Sequence, residues 1–296
     1  MRHWVKYVLL FCTLLSFPLR AELLVVLPAS QNAQDVRFND LRELAKLALD
    51  KTVPQYGPYT LMTHPKVMSE SRWLAALKQG DSVNLVWSST SPIKESELLP
   101  IRIPLKKGLL GYRIALINQQ NQANLRQVHS LEDLKLKTIG QGKGWGDVEI
   151  YRANQIKVQE SRYESLFNML NAGRFDLFPR GISEVFDEYE THKSTHANLA
   201  IEQELLIVYH WPYYFFTSQQ NPALAHRIET GLRMAINDGS FDQVFYQYHR
   251  ASIEQANLAK RRVIKIVNPL LPEATPLADK SLWLDPFNPY IPTITD

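Results

Sequence analysis

Two stretches of this chain follow one plan, and that plan permits little besides an α/β architecture. Residues 162–181 read RYESLFNMLNAGRFDLFPRG, and residues 71–87 read SRWLAALKQGDSVNLVW. Leu166, Phe167, Met169 and Leu170 in the first, and Trp73, Leu74 and Leu77 in the second, recur at helical spacing. Gly173 and Gly80 stand just past each helix, where a residue without Cβ accepts positive φ. A short apolar strand follows each glycine and then breaks, at Pro179-Arg180-Gly181 and at Ser88-Ser89-Thr90-Ser91-Pro92. The carboxyl ends of strands are where open α/β sheets bind ligands. The echo predicts two α/β lobes with facing strand ends, although any α/β protein holds several such units.

The order of elements extends this reading. Residues 22–28 (ELLVVLP) form a continuous apolar run, as buried parallel strands do. Asp40 with Glu43 resembles a capping box opening a helix whose Leu41, Leu44, Ala45 and Ala48 share one face. A strand near residues 59–62 and the 71–87 unit complete a β-α-β-α-β run, which predicts a right-handed parallel sheet. Residues 98–103 and 110–117 are two further strands, the second leading out of the first lobe. Ser130 and Asp133 open a short helix, and Gly140, Gly142, Gly144 and Gly146 alternate through a turn carrying Lys143 and Trp145. This turn matches neither G-x-G-x-x-G nor a Walker sequence. It would face a ligand or be merely tight. Residues 205–217 give a strand returning to the first lobe, and residues 221–248 two amphipathic helices. The tail from Asn268 carries six prolines and Trp283, the composition of an extended strap.

The leading 21 residues stand apart from this pattern. Arg2 and Lys6 precede an apolar run, residues 7–17, too short to span a membrane, and residues 18–21 resemble a cleavage region ending at Ala21. The expectation is a cleavable secretory signal, with an uncleaved anchor as the rival. Phe11 before Cys12 speaks against lipidation. Arg2, Lys6 and Arg20 account for the whole formal charge of +3, so the remainder is formally neutral, which removes the main support for a nucleic-acid partner. Cys12 is the one cysteine, so the remainder has no disulfide, thiolate nucleophile or cysteine metal ligand. The seven later histidines are scattered along the chain, and neither a metal nor a cofactor is expected. An exported periplasmic monomer fits these features.

Four stretches taken together, WLAALKQGDSVNLVW, LEDLKLKTIGQGKGWGD, LFNMLNAGRFDLF and NPALAHRIETGLRMAINDGSFDQVF, resemble the family 3 extracellular solute-binding proteins over roughly residues 22–250. The resemblance implies the type II periplasmic binding protein fold: two α/β lobes joined by two crossover strands and closing over a small molecule. It implies a discontinuous first lobe of residues 22–116 and 211–267, a second lobe of 117–210, and a strap of 268–296 on the first lobe. An inner-membrane permease of an ABC importer, or a sensor kinase, would be the partner. Where amino-acid-binding members carry a ligand-gripping arginine after the third strand, this chain has Lys94. Where they carry an amine-holding aspartate, it offers Arg180.

These departures count against an ordinary α-amino acid and point to a ligand richer in negative charge or without an amine; the solute expected is small and polar, anionic or amino-acid-like. Lys94, Arg113, Lys143 and Arg180 would supply charge, Ser88, Ser89 and Thr90 hydrogen bonds, and Trp145 a covering ring. Structural roles compete with each. Arg180 could instead pair with Glu184 or Asp187, Arg113 pack in the hinge, and Trp145 cap the second lobe's core. An enzyme on the same fold would need a cleft carboxylate as acid or base, with Glu184 and Asp147 the candidates. No nucleophile–histidine–acid set stands out, and no enzyme is expected.

Overall fold

A computed structural model describes residues 22–30 and 38–285. The expected signal segment and the last part of the expected strap, 286–296, lie outside the described residues. The first strands are β1 (Leu23–Leu27), β2 (Tyr59–Thr63), β3 (Val86–Ser89), β4 (Leu98–Ile101), β5 (Tyr112–Asn118) and β6 (Thr138–Gly142). There follow β7 (Lys157–Ser161), β8 (Phe178–Gly181), β9 (Leu199–Ile201), β10 (Leu205–Val208), β11 (Tyr213–Ser218) and β12 (Arg262–Lys265).

In the first lobe β1 and β2 run parallel, and β11 lies between β3 and β4, antiparallel to both. The expected continuous parallel sheet is interrupted. Next to β1 the chain supplies Asn84 in place of a strand partner: its Oδ1 accepts from Val26 N–H at 2.8 Å and its Nδ2 donates to Leu24 O at 2.8 Å. Helix Asn39–Lys51 buries Leu41, Leu44, Ala45 and Ala48, the face the sequence predicts. It crosses helix Pro222–Asn237 at Gly231, where a Cβ would sit 2.0 Å from Ala48 O, so only glycine permits this approach. Asp40 is not a helix cap. No side-chain cap bond forms there, and Asp40 is buried against Lys106 and His249, each 3.0 Å away, because the lysine ammonium and the imidazole outcompete the helix amides for its carboxylate.

The second lobe is ordered β12-β10-β5-β8, with β9 also on β5, beside the parallel pair β6-β7. Glycines explain its tight β6 turn. Cβ atoms on Gly140 and Gly142 would lie 2.3 Å from the Phe175 ring and 2.2 Å from the Trp145 ring, so two of the four alternating glycines serve close aromatic packing. Gly80 and Gly173, expected beyond their helices, have φ of 72° and 66°. Ser130 and Asp133 form the expected capping box.

Residues 205–217 are two strands, one in each lobe. Between them Tyr209 donates its N–H to Gly111 O at 3.1 Å, pairing the two crossover segments. The division expected for residues 211–267 also differs. β12 pairs with β10, and helix Ser240–Ala256 buries Phe245, Tyr246 and Ile253 among second-lobe residues, because the outer edge of β10 and that apolar face both need cover. Nor does the strap rest on the first lobe alone. Leu282 joins the first-lobe core, Leu284 the second-lobe core, and Trp283 lies against Gly108 between them.

Candidate functional site

A cleft of about 940 Å³ lies between the lobes. The first lobe contributes Glu70 from the start of helix Glu70–Gln79, Ser89 from the end of β3, and Lys94 from helix Pro92–Glu97. The second contributes Trp145 from the turn after β6, Asp147 from the start of helix Asp147–Ala153, Arg180 from β8, and Glu184 beyond it. Arg113 of β5 and Trp211 of the crossover line the floor, with Lys106 and His249 at one side.

Arg113 and Arg180 stand on neighbouring antiparallel strands, with Arg113 paired to Gly181 and Ile114 to Arg180. Two guanidiniums this close need shared anions, and Glu184 supplies one. Its Oε2 accepts from Gly181 N–H at 3.0 Å and lies 3.3 Å from Arg180 Nη2 and 3.5 Å from Arg113 Nη1. Burial would raise the Glu184 carboxyl, but Arg180 and Arg113 outweigh it and hold the pKa below the usual carboxylate range.

Each arginine has a further partner. Arg113 Nη2 is 2.9 Å from Asp147 Oδ2, and its Nε donates to the Tyr209 hydroxyl at 2.8 Å, which in turn donates to Asp147. Burial disfavours the Arg113 charge, yet Asp147 and its other neighbours raise its pKa further. Tyr209 is pushed well above the usual phenol value, chiefly by burial. Arg180 forks onto Glu188, Nε to Oε2 at 2.6 Å and Nη2 to Oε1 at 2.7 Å. Its guanidinium also lies 4.5 Å from the centroid of Trp145, which stacks on Phe178.

The first-lobe wall is similarly self-contained. Lys94 Nζ donates to Ser88 Oγ at 2.6 Å and Ser89 O at 2.9 Å, and sits 3.4 Å from Glu70 Oε1. Ser88 donates to Glu70 at 2.5 Å, and Thr90 to Glu95 at 2.6 Å.

Of the residues expected to bind ligand, Ser89, Lys94, Arg113, Trp145 and Arg180 therefore line one cleft. Ser88 and Thr90 are buried, donating to Glu70 and Glu95 without lining the cleft themselves, and Lys143 is exposed on the turn away from the lining. The competing roles also hold: Arg180 pairs with Glu184, Trp145 covers second-lobe aromatics, and Arg113 packs on the hinge tyrosine. Glu70, Lys106, Trp211 and His249 escaped the sequence reading, since each lies far in the chain from its cleft neighbours. Among the described residues no group of three or more histidines, cysteines or carboxylates could hold a metal ion, and no helix is long and apolar enough to cross a membrane.

The arrangement can grip a small molecule between two walls rich in paired charge. It is similar to solved structures of that kind. The probable amino-acid ABC transporter extracellular-binding protein ytmK of Bacillus subtilis matches with a TM-score of 0.54 at 18% identity, over 77% of this chain and 98% of that one. The chain has the two-lobed type II periplasmic binding protein fold. An ancestral arginine-binding protein bound to arginine shares this binding-protein fold at TM-score 0.50 and 16% identity, over 76% of this chain and 97% of its own. A histidine kinase sensor domain with similarity to periplasmic binding proteins does so at 0.51 and 14%, over 77% and 96%. No protein-family model and no curated protein matches the chain.

Proposed function

We propose that this protein is an exported solute-binding protein whose lobes close over a small, polar, amino-acid-like solute. The observation that carries the reading is the interlobe cleft of about 940 Å³, walled by both lobes and floored by the crossover segments. That volume suits a small molecule. The paired crossovers at Gly111 and Tyr209 form the hinge of the motion. Delivery to the permease of an ABC importer, in the periplasm and as a monomer, is the role that such a fold supports.

The expectation that Lys94, Arg113 and Arg180 would neutralise an anionic ligand loses its support, because carboxylates of the chain already neutralise them. No catalysis is proposed. Glu184 is held ionised between two guanidiniums, and Asp147 is locked to Arg113 and Tyr209, so neither is poised as a general acid.

A thermal-shift screen of amino acids, dicarboxylates, sugar acids and short peptides tests the reading. A ligand at 100 times its dissociation constant adds about 2.7 kcal/mol of stability. X-ray scattering on the saturated protein should then give a smaller radius of gyration. Silence across the screen overturns solute binding. The likeness to a kinase sensor domain favours a second reading, a ligand-reporting subunit; it uses the same cleft, and recovery of a membrane kinase rather than a permease on crosslinking would select it.

A further inference from the structure

We propose that a cavity behind the hinge is a second ligand site, taking a small organic anion whose acid group is carried on a flat apolar body. It shares no lining residue with the interlobe cleft, so its occupancy does not depend on what the cleft binds.

The first observation is where the cavity lies. Successive side chains of a strand point to opposite sides. Arg113 floors the cleft, and Tyr112, beside it on β5, lines a separate cavity of about 400 Å³. The second crossover divides in the same way, with Trp211 in the cleft and His210 behind it. The strap supplies Trp283 and Leu284 to the same lining, and the Tyr112 hydroxyl donates to Leu284 O at 2.7 Å, tying strap to crossover. An occupant therefore touches both crossover segments and the strap at once. The volume is within the range of small-molecule sites.

The second observation is the charge of the lining. Lys265 ends β12 and Lys280 opens the short turn Lys280–Leu282, so two ammoniums reach one cavity from separate elements. Both side chains are exposed, and neither has a hydrogen-bond or ion-pair partner among the described residues. Asp285 is the one acid on the lining. His210 adds no charge at neutral pH, because burial and the nearby Lys265 lower its pKa. The Tyr209 hydroxyl is turned away to Asp147. Two ammoniums against one carboxylate leave an excess of positive charge, which a bound anion offsets.

The third observation is the shape of the apolar part. His210 and Trp283 meet edge to face, 5.1 Å between centroids and 87° between planes, and form a ring-walled corner. The Trp283 N–H already donates to Pro276 O at 3.0 Å, so the indole offers its ring and no unpaired donor. Val208, Val263 and Ile266 supply the facing aliphatic surface. Aromatic corners of this kind favour a flat partner, which packs by stacking or edge-on. A cation would meet both lysines, and a sugar would meet few acceptors for its hydroxyls.

The test is calorimetric titration of the purified protein with 1-naphthoate, its neutral isostere 1-naphthamide, and succinate, an anion without the flat body. We expect saturable binding of 1-naphthoate, about fivefold tighter than 1-naphthamide, and no heat from succinate that Lys265→Gln or Lys280→Gln abolishes. Lys265→Gln and Lys280→Gln should each weaken 1-naphthoate by about threefold, and the double variant by about tenfold. Neither lysine holds another residue, so the ligand-free melting temperature should stay unchanged in all three variants. Val263→Trp, which fills the cavity from β12, should remove binding, read beside its melting curve. Absence of 1-naphthoate binding overturns the proposal. Equal affinity for 1-naphthamide overturns the anionic class. Binding that the double lysine variant leaves unchanged places the probe elsewhere, the interlobe cleft included, and overturns the site.

Discussion

Arg180 lies over the indole of Trp145, its guanidinium carbon 4.5 Å from the ring centroid, while its nitrogens fork onto Glu188. One side chain thus joins β8, the turn after β6 and helix Val185–His192. Planarity allows this, since a flat guanidinium can stack and fork together and an ammonium cannot. Arg180→Lys should cost about 2 kcal/mol. Chemical denaturation followed by tryptophan emission would measure it, and an unchanged midpoint would mean that charge alone mattered.

The buried contact of Arg113 with Asp147 is a different case, because both partners lack water. Arg113→Ala leaves Asp147 as a buried unpaired anion and removes a donor from the Tyr209 hydroxyl. We expect a loss of about 3–5 kcal/mol. Arg113→Met combined with Asp147→Asn should recover part of it, since the stranded charge is gone. A double variant no more stable than Arg113→Ala would contradict this account.

Gly231 sets helix propensity against packing. Alanine in a helix interior is favoured over glycine by about 1 kcal/mol. Its Cβ would nonetheless lie 2.0 Å from Ala48 O, a backbone atom that moves only if the two helices part. Packing should win, with Gly231→Ala net destabilising by about 2 kcal/mol. A variant that melts higher than the parent would show that the helices separate at no cost.

The histidines set an acid limit on stability. Burial lowers the pKa of His249 from its ordinary 6.5; Asp40 opposes this and Lys106 reinforces it. Burial and Lys265 lower His210 likewise. Above pH 6.5 both are neutral in the folded and unfolded chain, and the full stability is present. As pH falls below that value the unfolded chain takes up protons that the folded chain resists. Stability then declines until the folded pKa values are passed, by at most about 1.4 kcal/mol per pH unit for each histidine. Urea midpoints between about pH 8 and pH 5 should show this slope, and His249→Gln should flatten it. Asp40 and Glu184, both lowered, act only at more acid pH, where their stabilisation is lost as they protonate.

Local signals made the two helix–glycine–strand units legible, and with them the lobes. Gly80, Gly173 and the Ser130–Asp133 box stand where their chemistry requires. The cleft was half legible. Lys94, Arg113 and Arg180 do reach it, Arg180 near the end of β8, Arg113 near the start of β5 and Lys94 on the helix that follows β3. Their partners were harder to see: Asp147 is 34 positions from Arg113, and no spacing rule links β5 to the β6 turn. Glu184, four positions beyond Arg180, could be named, whereas Glu188 waited on the helix that carries it back. β12 is four residues, RVIK, too short to announce which sheet it joins.

The return of the chain through β12 interlinks the lobes. Nicking either crossover segment would leave them tethered by helix Ser240–Ala256 and by the chain from Ile266 to Leu284. A version shortened to end near residue 257 would uncover one margin of β10, whose backbone now pairs with Arg262–Lys265. That margin would be adhesive toward other copies of the chain. Residues 258–285 thus act as a selvedge, finishing the cut edge of the fabric as well as fastening it.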